Sequence, residues 1–390
     1  MGHEQHNGVA DVLRDRSVVV YGGGGGWGKN IVEASTGISR RVSVVEHDAT
    51  LAEVIAAAQN NDVLTLATPD PAINKILIEI RQSLTREKII LDCASNKSGF
   101  ATTLKEIAED GASVCSTHPM VMPKTSPRGQ TVIIMPVGEN AQIAKQVAER
   151  IYGQMGMRPE ELDFDQHADM MVILQMVPHL MERILIHAMA HGLKKQNMSN
   201  KDVSRLAPAN YRLAELGVGR VGIQRPDVSA GIIETALQTP FGKLVFGRIQ
   251  ETIGQIMAAS DRAELSKLFM GDINLLDPDG SWREEMTNRT EAALTRLGNL
   301  RLRSCQITVP NKPAILRDVL SILHDLHDID MTAIDSQIIQ QGNNGDSVAR
   351  FDIGISDEHV DFPALEKNLQ KVGATIVLQG SPSRKQDPKS

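Results

Sequence analysis

A glycine-rich loop directly after an apolar strand is the feature that most constrains how this chain can fold. The segment VVVYGGGGGWGKN contains the pattern G-x-G-x-x-G as Gly23, Gly25 and Gly28. The first glycine permits a tight turn, the second lets a pyrophosphate approach the backbone, and the third lets the helix pack on the strand. Unpaired N–H groups at the helix start then favour phosphate. The pattern predicts a dinucleotide site that also includes Gly26 and Trp27.

An acidic residue supports the dinucleotide interpretation and bears on which cofactor binds. Glu46 ends the next apolar run, VSVVE, 18 residues after Gly28. A carboxylate at this place accepts hydrogen bonds from a ribose diol and repels a 2′-phosphate, which favours NAD over NADP. His47, Arg40 and Arg41 lie nearby and leave NADP open.

The same glycines nearly spell a different phosphate-binding motif, the P-loop. Gly23 and Gly28 have the required spacing and Lys29 follows, but Asn30 replaces the Ser or Thr whose hydroxyl holds magnesium. Glu46 also has no role in a P-loop. A nucleoside triphosphate site and a purely structural loop therefore remain the alternatives to a dinucleotide site.

Hydrophobic patterning divides the 390 residues into three predicted domains. Residues 17–165 alternate six β-rich runs with helical stretches, which is typical of an α/β Rossmann fold with a doubly wound parallel sheet. The six runs are SVVVYG, VSVVEHD, DVLTLAT, KIILDCAS, ASVCSTHP and QTVIIMPV. Residues 166–300 have helical spacing and predict an all-α dimerisation and substrate domain. Residues 301–380 predict a βαββαβ domain of the ferredoxin-like kind, followed by a polar tail, SPSRKQDPKS, which we expect to be disordered.

One segment of the helical region is apolar on nearly every side. Met170–Leu180 carries few polar residues, among them Gln175, and contains Pro178. Such a helix is expected to be surrounded by protein, and Pro178 is expected to kink it or mark its start. Its excess of apolar surface predicts a homodimer formed through the helical region.

Composition excludes several classes of protein. The net charge of −7 disfavours a nucleic-acid binder, which needs a basic face. Three cysteines without a CxxC pair suit a reducing compartment, and no apolar stretch is long enough for a membrane span. The polar N-terminus is unlike a secretory signal, so a cytoplasmic location is expected.

His187 and His191 have metal-binding spacing but no evident third ligand, and we predict no metal site.

Three short segments follow predicted strands, where open α/β sheets build their sites. They are TLATPDP, DCASNK and THPMVMP, and a later helical stretch reads YRLAELGVGR. Together with the glycine-rich loop, these motifs resemble the prephenate dehydrogenase family across roughly residues 17–300. Members of that family oxidatively decarboxylate prephenate to 4-hydroxyphenylpyruvate in tyrosine biosynthesis.

The resemblance implies a role for each motif. A base of near-neutral pKa is needed for the ring C4 hydroxyl, and guanidinium groups suit the substrate's two carboxylates. The implied catalytic residues are His118, Ser95 and His179; the implied substrate-binding residues are Arg220, Arg212 and Lys97; and Thr68 and Pro69 are implied beside NAD. Without the resemblance, Ser95 could simply cap the next helix, and His179 could be a hydrogen-bonded core histidine.

Two departures from the family pattern affect the predicted ligands. Val121 and Met122 follow the HPM turn where the family usually has an aromatic or small residue and then glycine, which predicts a reshaped pocket. The substrate is then prephenate, arogenate or 4-amino-4-deoxyprephenate. Residues 301–380 resemble an ACT domain through the segment ITVPNKPAIL at residues 307–316, which implies an aromatic amino acid effector. Asn311–Ala314 lacks the usual turn glycine, and a purely dimer-forming role is the alternative.

Two other functions remain open on the sequence. One is a different Rossmann dehydrogenase, such as a β-hydroxy-acid or imine reductase, which commonly relies on a helix lysine as its acid. The other is a non-catalytic sensor that binds NAD and an amino acid. The set of Ser95, His118 and Arg220 favours the enzyme, because a sensor has no need of a base.

Overall fold

The computed structural model describes residues 12–223, 226–299, 303–326, 331–340, 347–355 and 360–379. The tail predicted to be disordered lies outside these ranges. The chain divides into two compact units, the first Met1–Met181 with Gln224–Gly254 and the second Glu182–Ile223 with Gln255–Ser390. The predicted helical region is thus shared between the two units, each of which is described by itself.

The strands of the described residues are β1 Ser17–Tyr21, β2 Arg41–Val45, β3 Val63–Leu66, β4 Ile89–Asp92, β5 Ser113–Pro119, β6 Thr131–Val137, β7 Arg158–Glu161, β8 Arg303–Pro310, β9 Met331–Gln340, β10 Ser347–Ile355 and β11 Thr375–Gln379. The helices are α1 Gly26–Ser35, α2 Leu51–Asn60, α3 Asp70–Ile80, α4 Ala101–Glu109, α5 Gln142–Gln154, α6 His167–Met171, α7 Val177–Gln196, α8 Asn200–Leu206, α9 Ala209–Ile223, α10 Pro226–Gln238, α11 Pro240–Ala258, α12 Arg262–Leu276, α13 Ser281–Asn299, α14 Ile315–Ser321 and α15 Phe362–Gln370.

The sheet of the first unit has the order β2-β1-β3-β4-β5-β6-β7. The strands from β2 to β5 are parallel, as predicted, and the order reverses between β1 and β3, which is the switch point where such sheets bind ligands. The prediction of a wholly parallel sheet is wrong at β6, which pairs antiparallel with β5. A loop without a helix, residues 120–130, joins these two strands, whereas a parallel connection needs a longer crossover. Strand β7 was not predicted.

Helices cover both faces of this sheet. Val19 and Tyr21 of β1 point into one buried cluster with residues of α2, α3 and α4. Val18 and Val20 point into a second cluster with residues of α1 and α5. Because successive strand residues alternate between faces, a continuous Val run fits a sheet that is buried on both sides, as the sequence predicted.

The apolar segment after the sheet is helical but only partly enclosed. A π-helical turn, Val172–Met176, links α6 to α7, and Pro178 is the second residue of α7. The wider turn accommodates Pro178, whose ring would clash with the carbonyl four residues earlier in a regular α-helix. Val172 and Met176 are buried with Ala236 of α10, but Ile173 and Leu174 are 47% and 48% exposed. The expectation that protein surrounds this segment is therefore wrong for the single chain.

The second unit contains further helices and a small α+β sheet. Within the predicted helical region, Pro208 separates α8 from α9. Strands β8 to β11 form an antiparallel sheet in the order β11-β8-β10-β9, and α14 and α15 complete the predicted βαββαβ order. In the turn after β8, Ala314 has a φ of 65°, a conformation that glycine adopts more readily.

Among the described residues, no helix combines the length with the apolar composition that crossing a bilayer would require.

Candidate active site

The glycine-rich loop lies at the carboxyl end of β1, at the switch point of the sheet. Helix α1 begins at Gly26, whose φ is 53°, and Gly25 is its N-cap. A Cβ on Gly28 would lie 2.0 Å from the carbonyl oxygen of Gly22, so only glycine lets the helix pack this closely on the turn. A Cβ on Gly23 would meet the side chain of Val44 at 2.8 Å, whereas none of the surrounding atoms lies within 4 Å of a Cβ on Gly25. This turn has the form that the sequence predicted for a phosphate-binding loop.

Side chains from neighbouring strands border the loop. Glu46 directly follows β2, and its Oε1 lies 2.8 Å from the place of a Cβ on Gly24, so the carboxylate reaches the loop. Trp27 is half-buried and packs against the cluster between the sheet and α1. This packing accounts for Trp27 without a cofactor contact.

The turn after β3 lies beside the glycine loop. Thr68 Cγ2 is 2.8 Å from the place of a Cβ on Gly22, and Pro69 is the N-cap of α3. The buried Thr68 Oγ1 has no hydrogen-bond partner among the described residues. A buried hydroxyl normally finds a partner, and a bound dinucleotide would supply one. The tight Gly28 contact and this hydroxyl fit the predicted cofactor.

His118 lies near the end of β5, and two polar side chains flank its imidazole. It is only 3% exposed. Its Nδ1 is 3.0 Å from Nε2 of His167 in α6, and its Nε2 is 3.3 Å from Nε2 of Gln175 in the π-helical turn. Burial, the charge of Lys97 and the neighbouring His167 hold the pKa of His118 well below its usual value. The imidazole is therefore neutral at physiological pH, as a proton acceptor must be.

The loop that follows His118 is tied to the glycine-rich loop. Asn30 of α1 donates from Nδ2 to the carbonyl oxygen of Pro123, at 3.1 Å. The Pro123 ring is also the nearest group to a Cβ on Gly26, at 4.0 Å. A hydrogen bond therefore joins the loop that follows the predicted base to the helix that begins in the predicted cofactor loop.

Lys97 lies beneath this site rather than at its surface. Its Nζ is 2.5 Å from Oδ1 of Asp92 at the end of β4 and donates to the carbonyl oxygen of Thr117 at 2.8 Å. The side chains of Lys97 and Asp92 are 6% and 0% exposed. The ammonium therefore joins the ends of β4 and β5, and its charge acts on His118 through a dry interior.

Ser95 and His179 occupy different environments. Ser95 is exposed in the turn after β4, and α4 is capped at Phe100, so Ser95 is not the cap of that helix. His179 on α7 is 5% exposed, with Nδ1 3.3 Å from the Oγ of buried Ser229 on α10. The neighbouring Asn96 donates to Thr235 Oγ1 at 3.4 Å, which links the turn of Ser95 to α10.

The two predicted arginines lie in the second unit. Helix α9 spans both Arg212 and Arg220 without a break, so the glycines between them do not interrupt it. Arg220 Nη2 donates to Glu182 Oε2 at 2.6 Å. A Cβ on Gly217 would lie 2.9 Å from Glu182 Oε1, so this glycine gives the carboxylate room to reach Arg220.

Sequence reasoning missed two residues beside the predicted base. His167 stands in the polar segment DFDQHADM, and nothing in the sequence connects it with His118, 49 positions earlier. Gln175 could have been identified as a candidate site residue, because it is an amide in an otherwise apolar run. Burial, and secondly the charge of Lys97, lower the pKa of His167 to about 3.

Comparisons with known proteins find similar dehydrogenases. Residues 37–158 match the model of the prephenate dehydrogenase nucleotide-binding domain, a match that begins just after α1. A curated protein of Methanocaldococcus jannaschii, "Probable arogenate/prephenate dehydrogenase", is 23% identical over 46% of this chain and 40% of its own length. The 4-amino-4-deoxyprephenate dehydrogenase of Streptomyces pristinaespiralis is 23% identical over 62% of this chain and 79% of its own length. This chain thus spans less than half of the first of these two relatives.

Solved structures of the same kind are also similar. Prephenate dehydrogenase from Aquifex aeolicus, in complex with hydroxyphenyl propionate and NAD+, is 15% identical with a TM-score of 0.47, covering 68% of this chain and 99% of that one. Arogenate dehydrogenase from Synechocystis is 15% identical with a TM-score of 0.49, covering 67% and 99%.

The family match confirms the prediction of a nucleotide-binding domain and agrees with the predicted dehydrogenase chemistry that uses NAD as the cofactor. Residues 37–158 thus match a nucleotide-binding domain of the prephenate dehydrogenase type, and the two curated relatives bear the names of arogenate/prephenate and 4-amino-4-deoxyprephenate dehydrogenases.

Proposed function

We propose that this chain oxidises a cyclohexadienyl acid with NAD, and that its substrate is prephenate, which becomes 4-hydroxyphenylpyruvate and CO₂. The observation that carries the proposal is the neutral, buried imidazole of His118, whose Nε2 faces the amide of Gln175. The loop after His118 is joined to the glycine-rich loop by Asn30. A base beside a dinucleotide loop suits oxidation of an alcohol carbon.

The reaction needs a base that gives its proton back. The glycine-rich loop, Glu46 and Thr68 would hold NAD, which would supply the acceptor for the hydride that leaves ring C4. His118 Nε2 takes the C4 hydroxyl proton as that hydride departs. The bond from C1 to the ring carboxylate then breaks, CO₂ leaves, and its electron pair completes the aromatic ring. His118 returns the proton to the phenolic oxygen, so the enzyme ends the cycle unchanged.

The remaining roles follow the family resemblance. Arg220 and Arg212 bind the substrate carboxylates, with Arg220 in direct contact. Ser95 holds the C4 hydroxyl and the nicotinamide end, and His179 contributes where cofactor and substrate meet. Lys97 acts through its charge, which keeps His118 neutral. Guanidinium groups suit this task because they bind carboxylates with two parallel hydrogen bonds.

A second candidate substrate is a relative of prephenate, either 4-amino-4-deoxyprephenate or arogenate. Met122 favours it, because this residue, which is 47% exposed, follows Val121 at the position where the family usually has glycine and so reshapes the pocket. The relative from Streptomyces pristinaespiralis acts on the amino compound. The chemistry at C4 is closely similar for all three acids.

The test compares prephenate, arogenate and 4-amino-4-deoxyprephenate, each with NAD and with NADP, by the absorbance of the reduced cofactor. We expect turnover of at least one acid with NAD and a loss of about 10²–10⁴-fold in kcat for His118→Asn. No turnover of any acid with either cofactor would reject the proposal. Near-normal activity of His118→Asn would favour a reductase whose acid is a helix lysine, and tight NAD binding without turnover would favour a sensor.

We also propose that the chain is a homodimer through its helices. Five large apolar residues on α6, the π-helical turn and α7 are 39–48% exposed: Met170, Ile173, Leu174, Met181 and Ile184. An apolar stripe of this length typically marks a protein interface. Light scattering should give twice 42.5 kDa, and Ile173→Glu should halve that mass. A wild-type mass equal to one chain at micromolar concentration would contradict the proposal.

The C-terminal βαββαβ domain is proposed to be ACT-like and to bind an aromatic amino acid as an effector. Its strand order and its resemblance at residues 307–316 support the proposal. Tyrosine at millimolar concentration should change the apparent KM or kcat of the wild type. An unchanged rate, together with no heat of tyrosine binding in calorimetry, would leave the domain a purely structural role.

A further inference from the structure

We infer that His167 is a positioning residue that holds His118 in the tautomer of a base. The inference rests on the proposed function, because it gives His167 the task of supporting the base that the proposed reaction requires. His167 is 3% exposed and sits at the first position of α6, where its Nε2 is 3.0 Å from His118 Nδ1. Neither the glycine loop nor the family motifs account for this pair of buried imidazoles.

The amide of Gln175 shows which nitrogen of His118 carries the proton. Gln175 Nε2 can only donate, so at 3.3 Å the facing His118 Nε2 must accept. A neutral imidazole whose Nε2 accepts has its proton on Nδ1. His118 Nδ1–H therefore donates to His167 Nε2, which accepts, and His167 carries its own proton on Nδ1.

This order of donors gives His167 a definite task. A histidine base needs its lone pair on the nitrogen that faces the substrate, and the partner of the other nitrogen fixes that choice. In many enzymes a carboxylate is this partner. Here the partner is a second neutral imidazole, which fixes the tautomer without adding a negative charge. The base consequently stays weak enough to return its proton to the phenolic oxygen.

The surrounding charge agrees with two neutral rings. Lys97 is the cation that acts on both histidines, and Asp92 pairs with it rather than with either imidazole. The ring centroids of His118 and His167 are 5.3 Å apart with planes inclined by 63°, so the contact is edge-on and not a stack. Edge-on geometry directs one ring nitrogen at the other.

Two variants separate the hydrogen bond from the bulk of the side chain. His167→Gln keeps an acceptor, because the Gln Oε1 can occupy about the place of the imidazole Nε2. His167→Leu fills a similar space without an acceptor. We expect kcat to fall at least tenfold in His167→Leu and to stay within about threefold of wild type in His167→Gln, with the KM for NAD unchanged in both. In a His118→Asn background the two variants should have equal kcat, because the positioned ring is gone.

A spectroscopic test does not depend on turnover. In the full chain labelled with ¹⁵N-histidine, the shifts of His118, assigned by their absence from His118→Asn, should show a protonated Nδ1 and a bare Nε2. His167→Gln should retain this pattern and His167→Leu should lose it. If no cyclohexadienyl acid is oxidised but this pattern appears, the proposed function fails and the positioning role stands. A protonated Nε2 on His118 in the wild type would overturn the inference, as would equal kcat values for the Leu and Gln variants.

Discussion

Removal of Lys97 tests how the ends of β4 and β5 are held together. The ammonium group bonds to Asp92 and to the Thr117 carbonyl oxygen, and both charged side chains are almost fully buried. In Lys97→Met, Asp92 Oδ1 keeps only the backbone N–H of Ala94, at 3.1 Å. Oδ2 already has no partner among the described residues. A buried carboxylate that loses its cation costs about 3–5 kcal/mol of stability.

The double variant separates charge from packing. Asp92→Asn combined with Lys97→Met leaves a neutral amide in place of the unpaired carboxylate. The loss of stability relative to wild type should therefore fall to about 1–2 kcal/mol. The matched control is Arg248→Met, which breaks the exposed Arg248–Glu251 pair, whose side chains are 71% and 50% exposed. Exposed pairs contribute about 0–1 kcal/mol, so this control should be close to wild type.

Tryptophan fluorescence gives a local assay for this prediction. The chain has two tryptophans: Trp27 in α1 and Trp282 in α13. In a Trp282→Phe background, urea unfolding followed by Trp27 reports the first unit. Lys97→Met should lower the urea midpoint by about 1–2.5 M, for a slope of about 2–3 kcal/mol per molar. A midpoint for Lys97→Met equal to that of the Arg248→Met control would refute the account of this buried pair.

Three further predictions concern the cofactor loop, the histidine pair and the second unit. Gly28→Ala should abolish NAD binding in calorimetry, because the new Cβ would lie 2.0 Å from a backbone oxygen. The low pKa values of His118 and His167 mean that the unfolded chain binds protons from about pH 6.5 downward while the folded chain does not. Stability should therefore be full above pH 6.5 and fall as the pH drops toward about 3, by up to about 1.4 kcal/mol per pH unit for each histidine. Glu182→Gln should lower the KM for the substrate severalfold, because it removes a carboxylate that competes for Arg220.

Each of these has a control. Gly99→Ala adds a Cβ in open space and should bind NAD normally, and normal NAD binding by Gly28→Ala as well would refute the loop geometry. His167→Gln should make the acid dependence of urea unfolding shallower, and an unchanged slope would contradict the histidine assignment. For Glu182→Gln, a raised KM would mean that the Glu182–Arg220 pair orients the arginine for the substrate.

The sequence predicted those parts of the sheet that depend on a single local property, either a continuous apolar run or the spacing of glycines. Continuous Val and Ile runs identified the first six strands, and the glycine spacing placed the phosphate loop at the end of β1. Strand direction was harder, since the run TVIIMPV looks the same in either orientation. The missing crossover helix in residues 120–130 was the signal for an antiparallel β6. Strand β7, with the sequence RPEE, is wholly exposed and has no apolar pattern to find.

Around the candidate base, the sequence predicted His118 but not the groups that tune it. His167 could not be predicted, because its role depends on a contact with His118, which lies 49 positions earlier in the chain. The π-helical turn that carries Gln175 also could not be predicted, because it depends on how Pro178 is accommodated by the preceding turn. Lys97 was predicted to face the substrate, whereas the structure buries its ammonium against Asp92.

Hydride transfer from ring C4 is the central claim, and one isotope measurement tests it directly. Prephenate carrying deuterium at C4 is incubated with the wild-type chain and NAD, and the reduced cofactor and product are analysed by mass spectrometry. The account predicts one deuterium in each reduced cofactor, one CO₂ for each turnover, and none of the label in 4-hydroxyphenylpyruvate. Deuterium that remains on the product or exchanges into water would contradict it.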